Sequence, residues 1–390
     1  MPVSKEPTMT VTSNPSRIPT PAKRPTQARG RTPRHRGEYA LVLVLLVLGI
    51  YLPIANTAID SASVFHLSLF SINMLGQIMC FAMLALALDF VWGLAGILSL
   101  GHGIFFGIGG YAMGFYLLNG AYADTGVLPD FMLYMGWKEF PALLQAFARL
   151  DVAIALAIGG AIAIAGLFGL STFGSRINGV YFSIITQALT YALMLLLFIN
   201  DLGLGGNNGL TGFTSIAGHP LARTGTQVGL ASLACVCLAI VFLVLRLIAD
   251  SSFGQTLVGV RDDEARLRFM GYRTDRIKLF AWVLSAAVAA LAGLLYVPQV
   301  GIVNPTIVAP MLSVEIAVWV AIGGRGSLIG AILGAVLVNG LKFWLSALVP
   351  SAWPFILAGV TLLITVALSN GLWSGVRLLT GRRNVADKAA

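Results

Sequence analysis

LFAWVLSAAVAALAGLLYVPQVGIVNPTIVAPMLSV, residues Leu279–Val314, runs for 36 residues without a charged side chain. A bilayer's hydrocarbon core is crossed by about 20 apolar residues in a helix. The stretch is therefore too long for one crossing. Its segment VPQVGIVNP, Val297–Pro305, supplies two prolines and a glycine where the first helix has to stop. One full span and the start of another are expected here.

Charge-free intervals of the same kind lie on both sides. They run over Tyr39–Ile59, Ser61–Leu88, Phe90–Ala123, Val152–Ser175, Ile177–Asn200, Thr224–Leu245, Gly326–Leu341 and Phe343–Val376, the last broken near Pro350 and Pro354. Together they predict an all-α polytopic membrane protein of about ten transmembrane helices. Composition agrees. Of 390 residues 57% are hydrophobic and 11% charged, against roughly 25% charged in soluble domains, and the mean hydropathy is +0.85. Soluble enzymes, disordered scaffolds and nucleic-acid-binding domains are excluded, so the expected surroundings are lipid and no nucleic acid is expected as a partner.

The net charge of +9 is concentrated at one end, where residues 1–38 hold eight Lys and Arg against two Glu. This Pro-, Ser- and Thr-rich stretch cannot bury a core and is read as a disordered basic tail. Residues 39–372 form the membrane domain, 249–276 its largest loop, and 373–390 a second basic tail. With the first tail inside, alternate loops place 21 Lys and Arg on the inner side and only Lys138, Arg149 and Arg223 on the outer. Both termini are thus expected in the cytoplasm.

Two glycine-rich stretches have small residues four apart: Gly103/Gly107 and Gly110/Gly114 in one, and Gly326, Gly330 and Gly334 in the other. Without Cβ atoms such faces let helix backbones approach closely in lipid. The outer loops, Leu128–Pro141 and Asn200–Phe213, read as interfacial or docking material and as Gly/Asn turns. The three cysteines, Cys80, Cys235 and Cys237, lie in apolar runs and read as core residues. The histidines are scattered, so no metal site or catalytic cluster is expected.

Polar groups at membrane depth are costly and are functional candidates. Asp89 is read as satisfying backbone donors at the start of the glycine-rich segment that follows it. His102 is read as a packed, hydrogen-bonded residue or as one with a translocation or gating role in the substrate pathway. Glu315, the deepest acid, either pairs with Arg325 or faces the pathway. Asn73, Gln77 and Gln187 carry amides suited to a small neutral cargo, and they are equally suited to joining helices.

The loop segment RDDEARLRFMG, Arg261–Gly271, sits in an amphipathic stretch, Gln255–Met270, that is too charged to span a membrane. Apolar anchors with a charged rim suit the groove of a soluble partner, and Gly271 lets the chain turn back. The segment resembles the coupling motif of ABC-importer permeases, carried here by Arg261, Glu264, Ala265, Arg266 and Gly271. It departs from the best-known form: Arg266 stands where a second alanine is usual, and Gly271 follows Glu264 by seven residues rather than six. This variant is similar to the branched-chain amino acid and urea importer subgroup. Leu128–Pro141 and Ala85–Gly103 resemble most the second permease subunit of the urea importer.

The resemblance implies a non-catalytic permease of a bacterial inner membrane. Its partners would be a second homologous permease, two cytoplasmic ATPase subunits and an extracytoplasmic substrate-binding protein. ATP would be used by those partners, and this chain would bind no cofactor. Urea is the implied cargo. Branched-chain amino acids are the alternative, and a stand-alone secondary transporter or channel is a second alternative.

Overall fold

A computed structural model describes residues 35–57, 67–175, 177, 179–199, 203–356, 358–359 and 362. The helices are α1 (His35–Thr57), α2 (Leu69–Asp89), α3 (His102–Thr125), α4 (Asp130–Tyr134), α5 (Ala142–Gln145) and α6 (Leu150–Gly174). After these come α7 (Val180–Leu197), α8 (Thr224–Asp250), α9 (Ser252–Phe269), α10 (Thr274–Val300), α11 (Pro310–Gly323) and α12 (Leu328–Leu348). Eight of them, α1, α2, α3, α6, α7, α8, α10 and α12, are long and apolar enough to cross a membrane, and α11 is a shorter apolar helix. The chain is an all-α polytopic membrane protein. Most of the tenth expected span, in Phe343–Val376, lies outside the described residues, as do residues 1–34 and 373–390 of the two expected tails. Helix α1 begins at His35, four residues before the boundary read from the first apolar run.

Packing follows the glycines. Helices α3 and α10 lie along one another because Gly109 faces the Ala290 carbonyl and Gly293 faces the Phe106 carbonyl; a Cβ at either place would overlap backbone. Helix α2 completes this buried centre with Met83–Leu88, and Phe106, Trp282 and Trp319 fill the space between. Helices α1, α6 and α7 instead present apolar side chains such as Leu43, Leu167 and Tyr181 outward, as a lipid-facing layer requires.

The expected single membrane segment Phe90–Ala123 is broken. A π-helical turn, Phe90–Leu94, ends α2, and residues 96–101 run without helix before α3 begins. Helix α7 covers this break with hydroxyls. Ser183 Oγ donates to the Leu98 carbonyl (2.7 Å), Thr190 Oγ1 donates to the Leu100 carbonyl (3.2 Å), and Leu100 N–H donates to Thr186 Oγ1 (3.1 Å). Irregular backbone at membrane depth persists only when protein supplies such partners.

At the end of the bundle where α10 finishes and α11 starts, Leu210 pairs with Val303 in an antiparallel bridge. Strands β1 (Ser215–Ile216) and β2 (His219–Pro220) form a small hairpin, with Ser215 opposite Pro220 and Ile216 opposite His219. Its two turn residues, Ala217 and Gly218, both have positive φ, as a tight hairpin turn demands. The loop Leu128–Pro141 contains α4, and Trp137 from it lies against Gly203.

Candidate functional site

Helix α9 and the start of α10 form a hairpin at the other end of the bundle. Ser251 begins α9, its Oγ accepting from Gly254 N–H. The helix is kinked at Asp263 (φ −158°, ψ 89°), whose Oδ1 accepts the Arg266 N–H at 3.0 Å. Asp263 is thus the cap of a second short helical piece. That piece stops at Met270, and Gly271 (φ +89°) turns the chain toward α10.

Glu264 ties the hairpin together. Its Oε1 accepts from Arg268 Nη2 (2.6 Å) and Thr274 Oγ1 (2.9 Å) and lies 2.8 Å from Lys278 Nζ. Lys278 is only 2% exposed, and its ammonium also faces the Phe173 ring at 5.5 Å. Burial pushes the Glu264 carboxyl up. The Lys278 hydrogen bond and charge, Thr274 and Arg268 outweigh this and hold it below the ordinary carboxylate range.

The amphipathic stretch divides differently from the sequence expectation. Leu257, Val260 and Leu267 are buried against this chain's own helices. Phe269 (94% exposed), Met270 and Tyr272 stand out at the tip, and Ala265, Arg266 and Gly271 are exposed beside them.

Arg261 joins the hairpin to the core. Its Nη1 donates to the Gly93 carbonyl (2.8 Å) in the π-helical turn, and its Nε bonds Asp262 (3.0 Å). Arg325 Nε donates to the neighbouring Trp92 carbonyl (3.2 Å), and its guanidinium lies over the Trp92 ring. Asp89 Oδ1 accepts the Gly326 N–H at 2.7 Å. Asp89 therefore serves the second glycine-rich segment rather than the one that follows it. Gly326 lies in the α11–α12 turn at φ +77°. Gly330 and Gly334 do pack backbone to backbone, against Gly323 and the Trp319 carbonyl. Gly107, Gly110 and Gly114 face Val308, Ile307 and Val303 of the α10–α11 connection, while Gly103 faces Ser313 in the first turn of α11, so this face receives mainly the connection and its side chains.

His102 is fully packed. Its Nε2 meets Ser285 Oγ at 2.5 Å, Ser285 Oγ also donates to the Ala87 carbonyl, and Trp282 stands edge-on to the imidazole. Asn73 Nδ2 donates to Gln227 Oε1 (2.8 Å) across α2 and α8, while Gln77 and Gln187 are half-buried. Glu315 pairs with Lys342 of α12 (Nζ to Oε2, 3.1 Å) and not with Arg325. Both line an open cavity of about 380 Å³ that also includes Phe81, Phe106, Tyr296 and Asn304. A second cavity of about 310 Å³ lies between α4 and the Gly/Asn loop, where Tyr122, Asn208 and Thr214 line it. Among the described residues no group of His, Cys, Asp and Glu is arranged to hold a metal ion.

The central role of Lys278 was not legible in the sequence, where it is one of six basic residues in Arg261–Lys278. The Lys342 partner of Glu315 was hidden for a related reason. Lys342 divides two apolar intervals on paper yet sits inside the continuous helix α12.

Residues 70–366 match the family described as branched-chain amino acid transport system / permease component. The chain is 28% identical over 284 residues to the high-affinity branched-chain amino acid transport system permease protein LivM of Escherichia coli K12, covering 67% of this chain and 60% of that protein. The LivM of Salmonella typhimurium is 28% identical over 298 residues, covering 70% and 63%. The autoinducer 2 import system permease protein LsrC of Yersinia pseudotuberculosis is 29% identical over 211 residues, covering 51% and 56%. The chain thus spans under two thirds of the length of these relatives. No solved structure matches it.

Proposed function

The chain belongs to the branched-chain amino acid transport system permease-component family, and from that premise we propose that it is a membrane-spanning permease subunit of an ATP-driven importer. The observation that carries this reading is the α9–α10 hairpin. Its inner face is tied to the bundle by Glu264, Lys278 and Arg261, while Phe269, Met270 and Tyr272 are left outside at the tip. A surface of this kind fits an apolar groove on a cytoplasmic ATPase subunit. Force applied at the tip has a covalent and hydrogen-bonded route to α2, through Arg261 and Gly93, and to α10, through Lys278. The chain itself carries out no catalysis. A second permease would complete the pathway, two ATPase subunits would drive it, and an extracytoplasmic protein would deliver the cargo.

The relatives' names favour a branched-chain amino acid as cargo. Urea is the second reading, favoured by the likeness of Leu128–Pro141 and Ala85–Gly103 to the urea importer's second permease. The test is uptake of labelled leucine and of labelled urea in cells with and without this subunit, each competed by the other unlabelled compound. ATP-dependent leucine uptake lost on deletion and insensitive to urea supports the first reading. The reverse pattern moves the cargo to urea. Loss of neither overturns the importer assignment.

A further inference from the structure

We propose that Glu315 and Lys342 form a binding subsite for the two charged ends of a zwitterionic α-amino acid, with the aromatic wall of their cavity receiving its aliphatic side chain. The proposal rests on the importer reading and adds to it a site and a way of recognising cargo.

The first observation is depth. Glu315 lies five residues into α11 and Lys342 six residues before the end of α12, each about one and a half helical turns inside the bundle. Charges placed there are costly and are expected to pair or to face water. These do both. Lys342 Nζ approaches Glu315 Oε2 at 3.1 Å and Oε1 at 3.4 Å, yet the two side chains remain 34% and 30% exposed. A pair serving only to hold α11 against α12 would be expected to close over. This one opens onto a cavity of about 380 Å³, within the range of small-molecule sites.

The second observation is what shares the cavity. Phe81, Phe106 and Tyr296 form a contiguous aromatic wall, with centroids 5.0 Å apart for Phe81–Tyr296 and 5.2 Å for Phe106–Tyr296. Ile307 and Leu312 extend it. A charged pole facing an apolar wall matches a molecule with charge at one end and hydrocarbon at the other.

The third point is the balance of the exchange. An α-amino acid brings a carboxylate and an ammonium on neighbouring atoms. It can offer Lys342 and Glu315 new partners at once, so neither is left without an opposite charge. An acid or an amine alone would satisfy one and strand the other, which is strongly unfavourable. The Trp353 ring, 5.7 Å from Lys342 Nζ, offers the ammonium a second contact while Glu315 turns to the cargo. A neutral molecule such as urea gains nothing from separating the pair.

The test uses the complete transporter in proteoliposomes, with labelled L-leucine as probe and leucinamide (no carboxylate) and 4-methylpentanoate (no ammonium) as competitors. Wild-type leucine uptake should resist both competitors. Glu315→Gln and Lys342→Gln should each lower leucine uptake by about tenfold or more at equal amounts of assembled transporter. The double variant Glu315→Gln/Lys342→Met removes both charges together and strands neither, so it keeps the assay usable if the single variants do not assemble; it too should lose leucine uptake. Leucine uptake within twofold of wild type in any assembled variant overturns the subsite. So does a wild-type transporter that moves urea and not leucine, although the importer reading then survives. A wild-type transporter with no ATP-dependent uptake of either compound overturns the importer reading itself.

Discussion

Glu264 gathers an arginine, a threonine hydroxyl and a nearly buried lysine on one oxygen. Removing it leaves Lys278 without its carboxylate in a dry setting, a change worth ~2 kcal/mol or more. Glu264→Ala should therefore loosen the hairpin and uncouple ATP hydrolysis from uptake while leaving the protein in the membrane. Normal uptake at normal ATP consumption in that variant would refute the assignment. The lowered pKa of Glu264 gives the direction of its pH dependence. A carboxyl more acidic when folded than when unfolded contributes fully above its unfolded value, about 4.3, and the contribution is lost as pH falls through the folded value. The difference in thermal midpoint between wild type and Glu264→Gln should accordingly be constant near neutrality and shrink below about pH 4. Asp263→Ala removes a helix cap and should cost ~1 kcal/mol, read as faster hydrogen exchange at the Arg266 amide.

At the scale of elements, glycine position decides which helices touch. Gly109→Ala places a methyl against the Ala290 carbonyl and should lower the thermal midpoint of the detergent-solubilised protein, at a cost of ~1–3 kcal/mol. Gly159→Ala is the control, since that position in α6 opens onto empty space and should be unaffected or slightly stabilised. The sequence showed where the spans lie because apolar length is a local property. It could not show which glycines meet backbone. Gly109 and Gly293 are ordinary members of apolar runs until α3 and α10 are brought together, whereas the regular spacing at Gly103/Gly107 and Gly110/Gly114 drew attention to a face that receives side chains. The break at 96–101 was hidden for the same reason, since its supporting hydroxyls come from α7, more than 80 residues later. The hairpin was legible as an amphipathic, charged loop, and its outward and inward residues were not, because both sets are apolar.

For the whole molecule, distant basic residues are brought to one place: Arg261 and Arg325 converge on the Trp92–Gly93 turn, although 64 residues separate them in sequence. Deleting residues 1–34 should leave transport nearly intact, because the loop arginines still set orientation; uptake by the truncated chain, normalised to its amount in the membrane, checks this.

The hydroxyl cover over residues 96–101 also dictates an order of assembly. When α2 and α3 have left the ribosome, the amide of Leu100 and the carbonyls of Leu98 and Leu100 have no α7 to meet, since Ser183, Thr186 and Thr190 are not yet synthesised. The half-made protein must keep that stretch in contact with water or with the insertion machinery until α7 arrives. The completed bundle thus inherits a seam closed late in its biogenesis.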